Sequence, residues 1–214
     1  MFATSWDGMK IWYDATSGPA PVLLIHGFAS DSANTWVRTG WVRALSDRGH
    51  VLVDLRGHGH SDMSESGYSP DALARDVLAV LDEAGVSTVD VVTYSMGGLI
   101  GWELARLSSG RVRRLVLGGI GGRAADRGSM RRVAETLSAS DLDACIEGIA
   151  GHRLDGPAPV PVLFAAGEQD DIASDAPEYA AELGAPFVSL DRRNHFNAVS
   201  ASRFKKAAAE FLEH

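Results

Sequence analysis

Val89-Asp90-Val91-Val92-Thr93-Tyr94-Ser95-Met96-Gly97-Gly98-Leu99-Ile100 is the stretch whose reading decides the fold. Val89, Val91 and Val92 are β-branched and suit a short strand packed on both faces. Gly97 and Gly98 open a run, reaching Leu107, in which apolar residues recur at helical spacing. A strand that turns directly into a helix lifts the residue at the turn clear of the backbone. The free N–H groups and positive dipole end of the helix then face any anion that forms beside it. Ser95 stands at that turn, in a Thr-Tyr-Ser-Met-Gly sequence close to G-x-S-x-G, the pattern that exposes a serine hydroxyl as a nucleophile. Thr93 departs from the pattern at a position where strand and helix approach closely and a small side chain is wanted. Taken alone, a serine after an apolar strand also reads as a helix N-cap, so the rest of the chain decides.

Outward from this stretch, strands alternate with helices. Toward the N-terminus, Val51–Val53 is a buried strand running into the loop Asp54-Leu55-Arg56-Gly57-His58-Gly59-His60-Ser61-Asp62. Ser69-Pro70 starts a helix, since proline in the first turn gives up no needed N–H, and Leu73, Val77, Val80 and Leu81 form its buried stripe up to Gly85. A helix is predicted over Trp36–Asp47. Val22–Ile25 is a continuously apolar strand ending in His26-Gly27-Phe28, and Asp7-Gly8 turns a hairpin within Phe2–Tyr13. Toward the C-terminus, Arg113–Leu117 is a strand ending in the glycine cluster Gly118–Gly122. Val160–Ala166 ends in Gly167-Glu168-Gln169-Asp170-Asp171, and Phe187–Leu190 runs into Asp191-Arg192-Arg193-Asn194-His195-Phe196. Helices follow over Pro177–Leu183 and from Ser200 onward. Arg123–Pro157 is more polar, with helices expected at Met130–Leu137 and Asp141–Ile149, the second capped by Ser140. This rhythm makes a single α/β domain over residues 1–214, a mostly parallel sheet covered on both faces, with a short helical insertion over about 123–157. Ligands of such sheets sit at the carboxyl ends of the strands.

Bulk properties narrow the function. The 214 residues suffice for one domain with a sizeable core. A net charge of −8 with interspersed signs argues against a nucleic-acid partner. A lone cysteine, Cys145, fits a reducing compartment. No apolar run reaches the length of a membrane span, so no membrane insertion is expected. The first ten residues are too polar for a signal peptide, and a cytoplasmic protein is the expectation. His214, at the end of a stretch that reads as a tag remnant, is given no role.

A serine hydroxyl is a poor nucleophile near neutral pH. It needs a base, a group that orients the base, and donors for the oxyanion that forms. Histidine suits the base, with an unperturbed pKa of about 6.5. A carboxylate on its other nitrogen fixes the tautomer. The chain supplies Ser95, Asp170 and His195 in that order, each after its own strand. Together with Leu23-Leu24-Ile25-His26-Gly27-Phe28, the Asp54–Asp62 loop, Ser95-Met96-Gly97-Gly98, Gly167-Glu168-Gln169-Asp170 and Asn194-His195-Phe196, this order resembles the α/β-hydrolase superfamily over nearly the whole chain. The resemblance implies an eight-stranded sheet with one antiparallel strand and catalytic roles for Ser95, Asp170 and His195. It also implies an oxyanion hole from the backbone N–H groups of Phe28 and Met96, and a cap at 123–157 that is short for the family. The implied activity is a serine esterase, lactones and thioesters being related substrates, with a small-molecule ester as partner and neither cofactor nor metal required. Two alternatives keep the scaffold. One is a C–C lyase or synthase using the same three residues, similar to the pyruvate-eliminating synthase of the menaquinone pathway, although Leu99 stands where that enzyme has arginine. The other is a small-molecule receptor.

Other residues carry weaker signals. Phe28, Met96 and Phe196 flank the proposed catalytic residues and are the pocket candidates. Asp171 is the rival to Asp170. His26 reads as shaping the loop that follows its strand. His58 and His60, with Asp62 nearby, form a sparse metal-ligand pattern without a further cluster. Gly119-Ile120-Gly121-Gly122-Arg123-Ala124 imitates part of a dinucleotide fingerprint but leads into no clean helix. Trp36, Trp102, Tyr94 and Met130 read as core residues, and Cys145 as a small apolar filler.

Overall fold

The computed structural model describes residues 1–108, 110–122 and 126–213. Arg123 and Ala124, which end the glycine-rich pattern and begin the expected insertion, lie outside the described residues, as does His214. Eight strands form one sheet: β1 (Phe2–Thr4), β2 (Lys10–Thr16), β3 (Val22–Ile25), β4 (His50–Val53), β5 (Val89–Tyr94), β6 (Val112–Gly118), β7 (Val162–Gly167) and β8 (Phe187–Leu190). Their spatial order is β1-β2-β4-β3-β5-β6-β7-β8. β2 runs antiparallel to both neighbours and every other pairing is parallel. The expected sheet, with its single reversed strand, is thus observed.

The period-2 alternation of strand side chains builds two cores. Leu23, Ile25, Val51, Val53, Val89, Val91, Leu115 and Leu117 face α2 (Pro70–Glu83) and α3 (Gly97–Leu107). The intervening residues Val22, Leu24, Leu52, Val92, Tyr94 and Val116 face the other way. There they pack against Trp36, Trp41 and α7 (Ser202–Glu213), with Trp41 edge-on to Phe204 at 4.8 Å. Doubly buried strands explain why these segments read as continuous apolar runs rather than alternating ones.

The helix expected over Trp36–Asp47 is not continuous. A π-helical turn at Ala33–Val37 and the single turn α1 (Trp41–Ala44) replace it. Gly40 separates them with φ of 84°, a left-handed conformation that glycine adopts without penalty and that ends a helix. Trp36 and Trp41 stay fully buried all the same.

Between β6 and β7 lie α4 (Arg127–Thr136) and α5 (Asp143–Ile149). Asp126 caps α4 by accepting from the Ser129 amide at 2.8 Å. Ser140 does not cap α5. Leu142 holds that position, and Asp141 turns the chain with φ of 62°. Met130, Ala134, Leu142, Cys145, Ile146 and Ile149 join the core on the α2–α3 face. The remaining helix, α6 (Ala176–Glu182), leads from β7 to β8. Among the described residues no helix is long and apolar enough to cross a membrane.

The Asp54–Asp62 loop is held by buried charge. The Arg56 guanidinium is fully buried and bonds Asp76 of α2 at 2.9 Å through both Nε and Nη2, and Asp7 of the β1–β2 turn at 2.6 and 2.8 Å. Asp54 accepts from the Ser32 amide and hydroxyl and from the His60 amide and ring. Burial pushes the Asp54 carboxyl upward, but these hydrogen bonds outweigh it and hold the group below its ordinary range.

Candidate active site

Ser95 sits between β5 and α3 with φ of 53°. A non-glycine residue in this left-handed region is strained, and the surroundings must hold it there. The Ser95 amide donates to the Gly118 carbonyl of the neighbouring strand at 2.8 Å, and the Ser95 carbonyl accepts from Gly98 at 2.8 Å. Close approaches need the glycines: a Cβ on Gly97 would lie 2.4 Å from the Ile25 carbonyl oxygen, and one on Gly27 would lie 3.1 Å from Ser95 Cβ.

Thr93 fits where the pattern has glycine because space is given back on the helix. A Cβ on Gly101 would lie 2.7 Å from Thr93 Cγ2. The Thr93 hydroxyl is not left unpaired, since it donates to the Val116 carbonyl at 2.9 Å.

The structure brings Ser95, His195 and Asp170 together from three strand ends. His195 Nε2 lies 3.0 Å from Ser95 Oγ, and Nδ1 lies 3.0 Å from both carboxylate oxygens of Asp170. Asp170 is 2% exposed and His195 8%. Asp170 Oδ1 also accepts from the Ile172 and Ala173 amides at 3.1 and 3.0 Å, so its orientation is fixed by the chain that follows β7. In this arrangement a carboxylate can accept the Nδ1 proton, and Nε2 then presents its lone pair to Ser95 Oγ. Asp170, not Asp171, is the carboxylate placed against His195, while Asp171 lines the adjoining cleft.

That cleft, of about 670 Å³, runs beside Ser95. All three pocket candidates, Phe28, Met96 and Phe196, line it. Phe28 and Met96 are buried and Phe196 is exposed, standing edge-on to the His195 ring at 5.8 Å. Met130, Val133 and Thr136, three residues apart on one face of α4, form a wall that the sequence reading did not assign. Their periodicity within a polar segment was the available signal. Ile149 adds to the wall from α5. Among the described residues, neither the Phe28 nor the Met96 amide meets a protein acceptor.

The other candidates have structural partners. His26 is wholly buried, its Nδ1 donating to the Gly27 carbonyl at 2.7 Å and its Nε2 accepting from the Leu55 amide at 3.0 Å. Burial lowers its pKa, so it stays neutral and ties two loops together. His58 uses Nδ1 on the Arg56 carbonyl and Nε2 on the Ala29 amide, and burial pushes its pKa down to about 4. With both nitrogens committed, His58 has no lone pair for a metal, and Asp62 accepts from the Lys10 amide. Among the described residues no group of three or more His, Cys, Asp or Glu could hold a metal ion. Cys145 is buried with its sulfur 3.9 Å from Met96 Sδ, and burial raises its thiol to about 12. Trp36, Trp102 and Tyr94 are buried in the cores. Tyr94 does more than fill space, because its hydroxyl donates to the His195 carbonyl.

Comparison with known proteins defines the class. The family model of the α/β hydrolase fold matches residues 20–144, and the chain belongs to this family. Over 136 residues it is 38% identical to an uncharacterized protein of Mycobacterium tuberculosis, a match covering 62% of this chain and 38% of that protein. Over 126 residues it is 34% identical to a putative carbamate hydrolase of Azorhizobium caulinodans, covering 58% and 46%. The matched stretches span less than half the length of these relatives. Among solved structures, an esterase from a Rhodococcus species covers 100% of this chain and 98% of its own, with a TM-score of 0.79 and 25% identity. A hydrolase from Pseudomonas aeruginosa has a TM-score of 0.82 at 21% identity, with 100% and 98% coverage, a likeness of fold.

Proposed function

We propose that this protein is a serine hydrolase of carboxylic esters that works through an acyl-serine intermediate. The observation that carries the reading is the chain of hydrogen bonds from Ser95 Oγ through His195 to Asp170, built at strand ends beside a cleft. In this mechanism His195 Nε2 takes the Ser95 proton as Oγ attacks the acyl carbon. The Phe28 and Met96 N–H groups stabilise the oxyanion, and Asp170 stabilises the imidazolium. The imidazolium then protonates the leaving alcohol as the C–O bond breaks. Water, deprotonated by His195, attacks the acyl-serine, releases the acid and restores Ser95.

The substrate is a small-molecule ester whose apolar group lies along Phe28, Met96, Leu99 and Met130. The described part of the 123–157 insertion, residues 126–157, acts as a short cap on a single domain. The cytoplasm suits the lone thiol of Cys145.

A fluorophosphonate, which phosphonylates an activated serine, tests this directly. Intact mass and peptide mapping of the wild type and Ser95→Ala would be paired with a chain-length series of p-nitrophenyl esters. The expected result is one label on Ser95 and ester turnover that Ser95→Ala abolishes. An unlabelled wild type, or turnover surviving in Ser95→Ala, would overturn the reading.

A further inference from the structure

We propose that Tyr94 is a positioning residue, whose hydroxyl holds the His195 carbonyl and so sets the imidazole against Ser95 from the adjacent position of the same chain turn. The proposal rests on the serine hydrolase reading above and adds a residue to it. Strand alternation sends the Tyr94 side chain away from Ser95, into the core on the α7 face, where it is 6% exposed. Its slot is cut by two glycines of the chain leaving β6. A Cβ on Gly118 would lie 3.0 Å from Tyr94 Cδ2, and one on Gly119 would lie 2.9 Å from Cζ. From there the hydroxyl reaches His195 O, and the ring lies 5.5 Å from the imidazole at a 40° tilt.

His195 needs such an anchor. It follows β8, an edge strand, and the chain between Leu190 and the turn at Ala198–Ser200 has no regular structure. Within that loop Arg193 donates to Leu190 O and Asn194 Oδ1 accepts from the Phe196 and Asn197 amides. Outward ties run to the segment after β7, where the Gln169 amide donates to Arg193 O at 2.9 Å, and to α7, where Arg203 meets Asp191. The Tyr94 bond ties it at His195 itself to β5, which lies between β3 and β6 in the sheet. Burial, with the Asp170 charge, raises the Tyr94 pKa, so the phenol stays protonated and remains a donor through the working pH range. Ser95 and His195 are thereby linked twice, once across the 3.0 Å hydrogen bond and once through the neighbouring residue. Small displacements of a catalytic base are costly in rate.

Tyr94→Phe removes the donor and keeps the ring. The expected result is kcat lower by about tenfold, the size of one hydrogen bond's net contribution, with KM unchanged. Fluorophosphonate labelling of Ser95 should slow by the same factor, because it depends on the same pair of residues but not on the substrate pocket. Two unnatural substitutions separate position from packing. 4-Fluorophenylalanine at 94 fills the hydroxyl's space without a donor and should resemble Tyr94→Phe. 4-Aminophenylalanine at 94 restores a donor and should recover kcat to within about threefold of the wild type. A purely structural role would lower the melting temperature while leaving kcat and labelling rate per folded molecule unchanged, and that result overturns the proposal. Equal rates for the fluoro and amino variants would overturn it as well. Ser95→Ala measured alongside keeps the two readings apart. If it abolishes turnover while Tyr94→Phe changes nothing, only the role of Tyr94 fails; if it retains turnover, the hydrolase reading itself fails.

Discussion

Replacing Arg56 by methionine tests the buried ion cluster that joins the N-terminal hairpin to α2. Methionine has a similar reach and no charge, so packing along the stem is largely kept. What is lost is every hydrogen bond from Arg56 to Asp76 and Asp7, while Asp76 keeps the one from the Ser5 hydroxyl. The two partners suffer differently. The Asp7 side chain is 26% exposed and can be rehydrated, whereas that of Asp76 is 1% exposed and would remain as a buried carboxylate without a cation, held by the Ser5 hydroxyl alone. Removing one partner of a buried pair costs about 3–5 kcal/mol, most of it this stranded charge. At a typical slope of about 2 kcal/mol per M, the urea midpoint should fall by roughly 2 M. Burial already pushes the Asp76 carboxyl upward, and without Arg56 it rises further. A raised folded-state pKa means the folded protein binds the extra proton. The deficit should therefore be full above that raised value and shrink as pH falls toward the ordinary carboxyl range. Adding Asp76→Leu should recover most of the loss. Equilibrium urea unfolding, followed by circular dichroism between pH 5 and 8, would check all three points. A loss below about 1 kcal/mol, or a double variant no more stable than Arg56→Met, would refute the argument that stranded charge dominates.

Asp170→Asn should leave stability nearly unchanged and lower kcat by about 10³–10⁴, since the amide no longer fixes the imidazole tautomer; steady-state kinetics with a p-nitrophenyl ester would decide. Gly101→Ala should destabilise by about 1–3 kcal/mol through its collision with Thr93. Thr93→Ser keeps the hydroxyl and removes the offending methyl, so a double-mutant cycle should show most of that cost relieved; additive effects would place the strain elsewhere. Asp54, held below the ordinary carboxyl range, should contribute stability that is present above that range and lost as pH falls through its folded value. The stability gap between the wild type and Asp54→Asn should accordingly close in acid, as read by urea midpoints from pH 7 down to 3.

Much of the fold could be read from the chain because its central strands β3, β4 and β5 are buried on both faces and therefore appear as nearly unbroken apolar runs. Val22–Ile25, buried throughout, matches its expected bounds, and so does the half-buried edge strand Phe187–Leu190. That Ser95, Asp170 and His195 would meet was readable for a different reason: each follows a strand, and order along the sequence stands in for position in space. Other features depend on contacts that sequence spacing does not encode. The break at Gly40 is one, because glycine inside an apolar pattern is often tolerated in a helix. The accommodation of Thr93 by Gly101 is another, a matter of one methyl group against one missing Cβ. Tyr94 looked like core and is core, yet its hydroxyl finds a residue 101 positions away. The spacing of Met130, Val133 and Thr136 marks one face of α4, but what that face meets is set by how the segment docks. The role of Arg56 was likewise hidden, since its partners lie 49 and 20 residues away on separate elements.

β8 is the outermost strand at its end of the sheet and pairs with β7 alone; three of its four residues are only half buried. Edge segments with few buried contacts open at lower free energy than the centre of a sheet. Ser95 rides on the protected middle and His195 on this exposed margin. Activity should accordingly fade at denaturant concentrations where the circular dichroism signal is still native, and the amides of Phe187–Leu190 should exchange with solvent well before those of Val89–Tyr94. Inactivation would then report detachment of one edge rather than collapse of the whole, and a ligand bridging Ser95 and His195 would raise the tolerance of the margin more than that of the core.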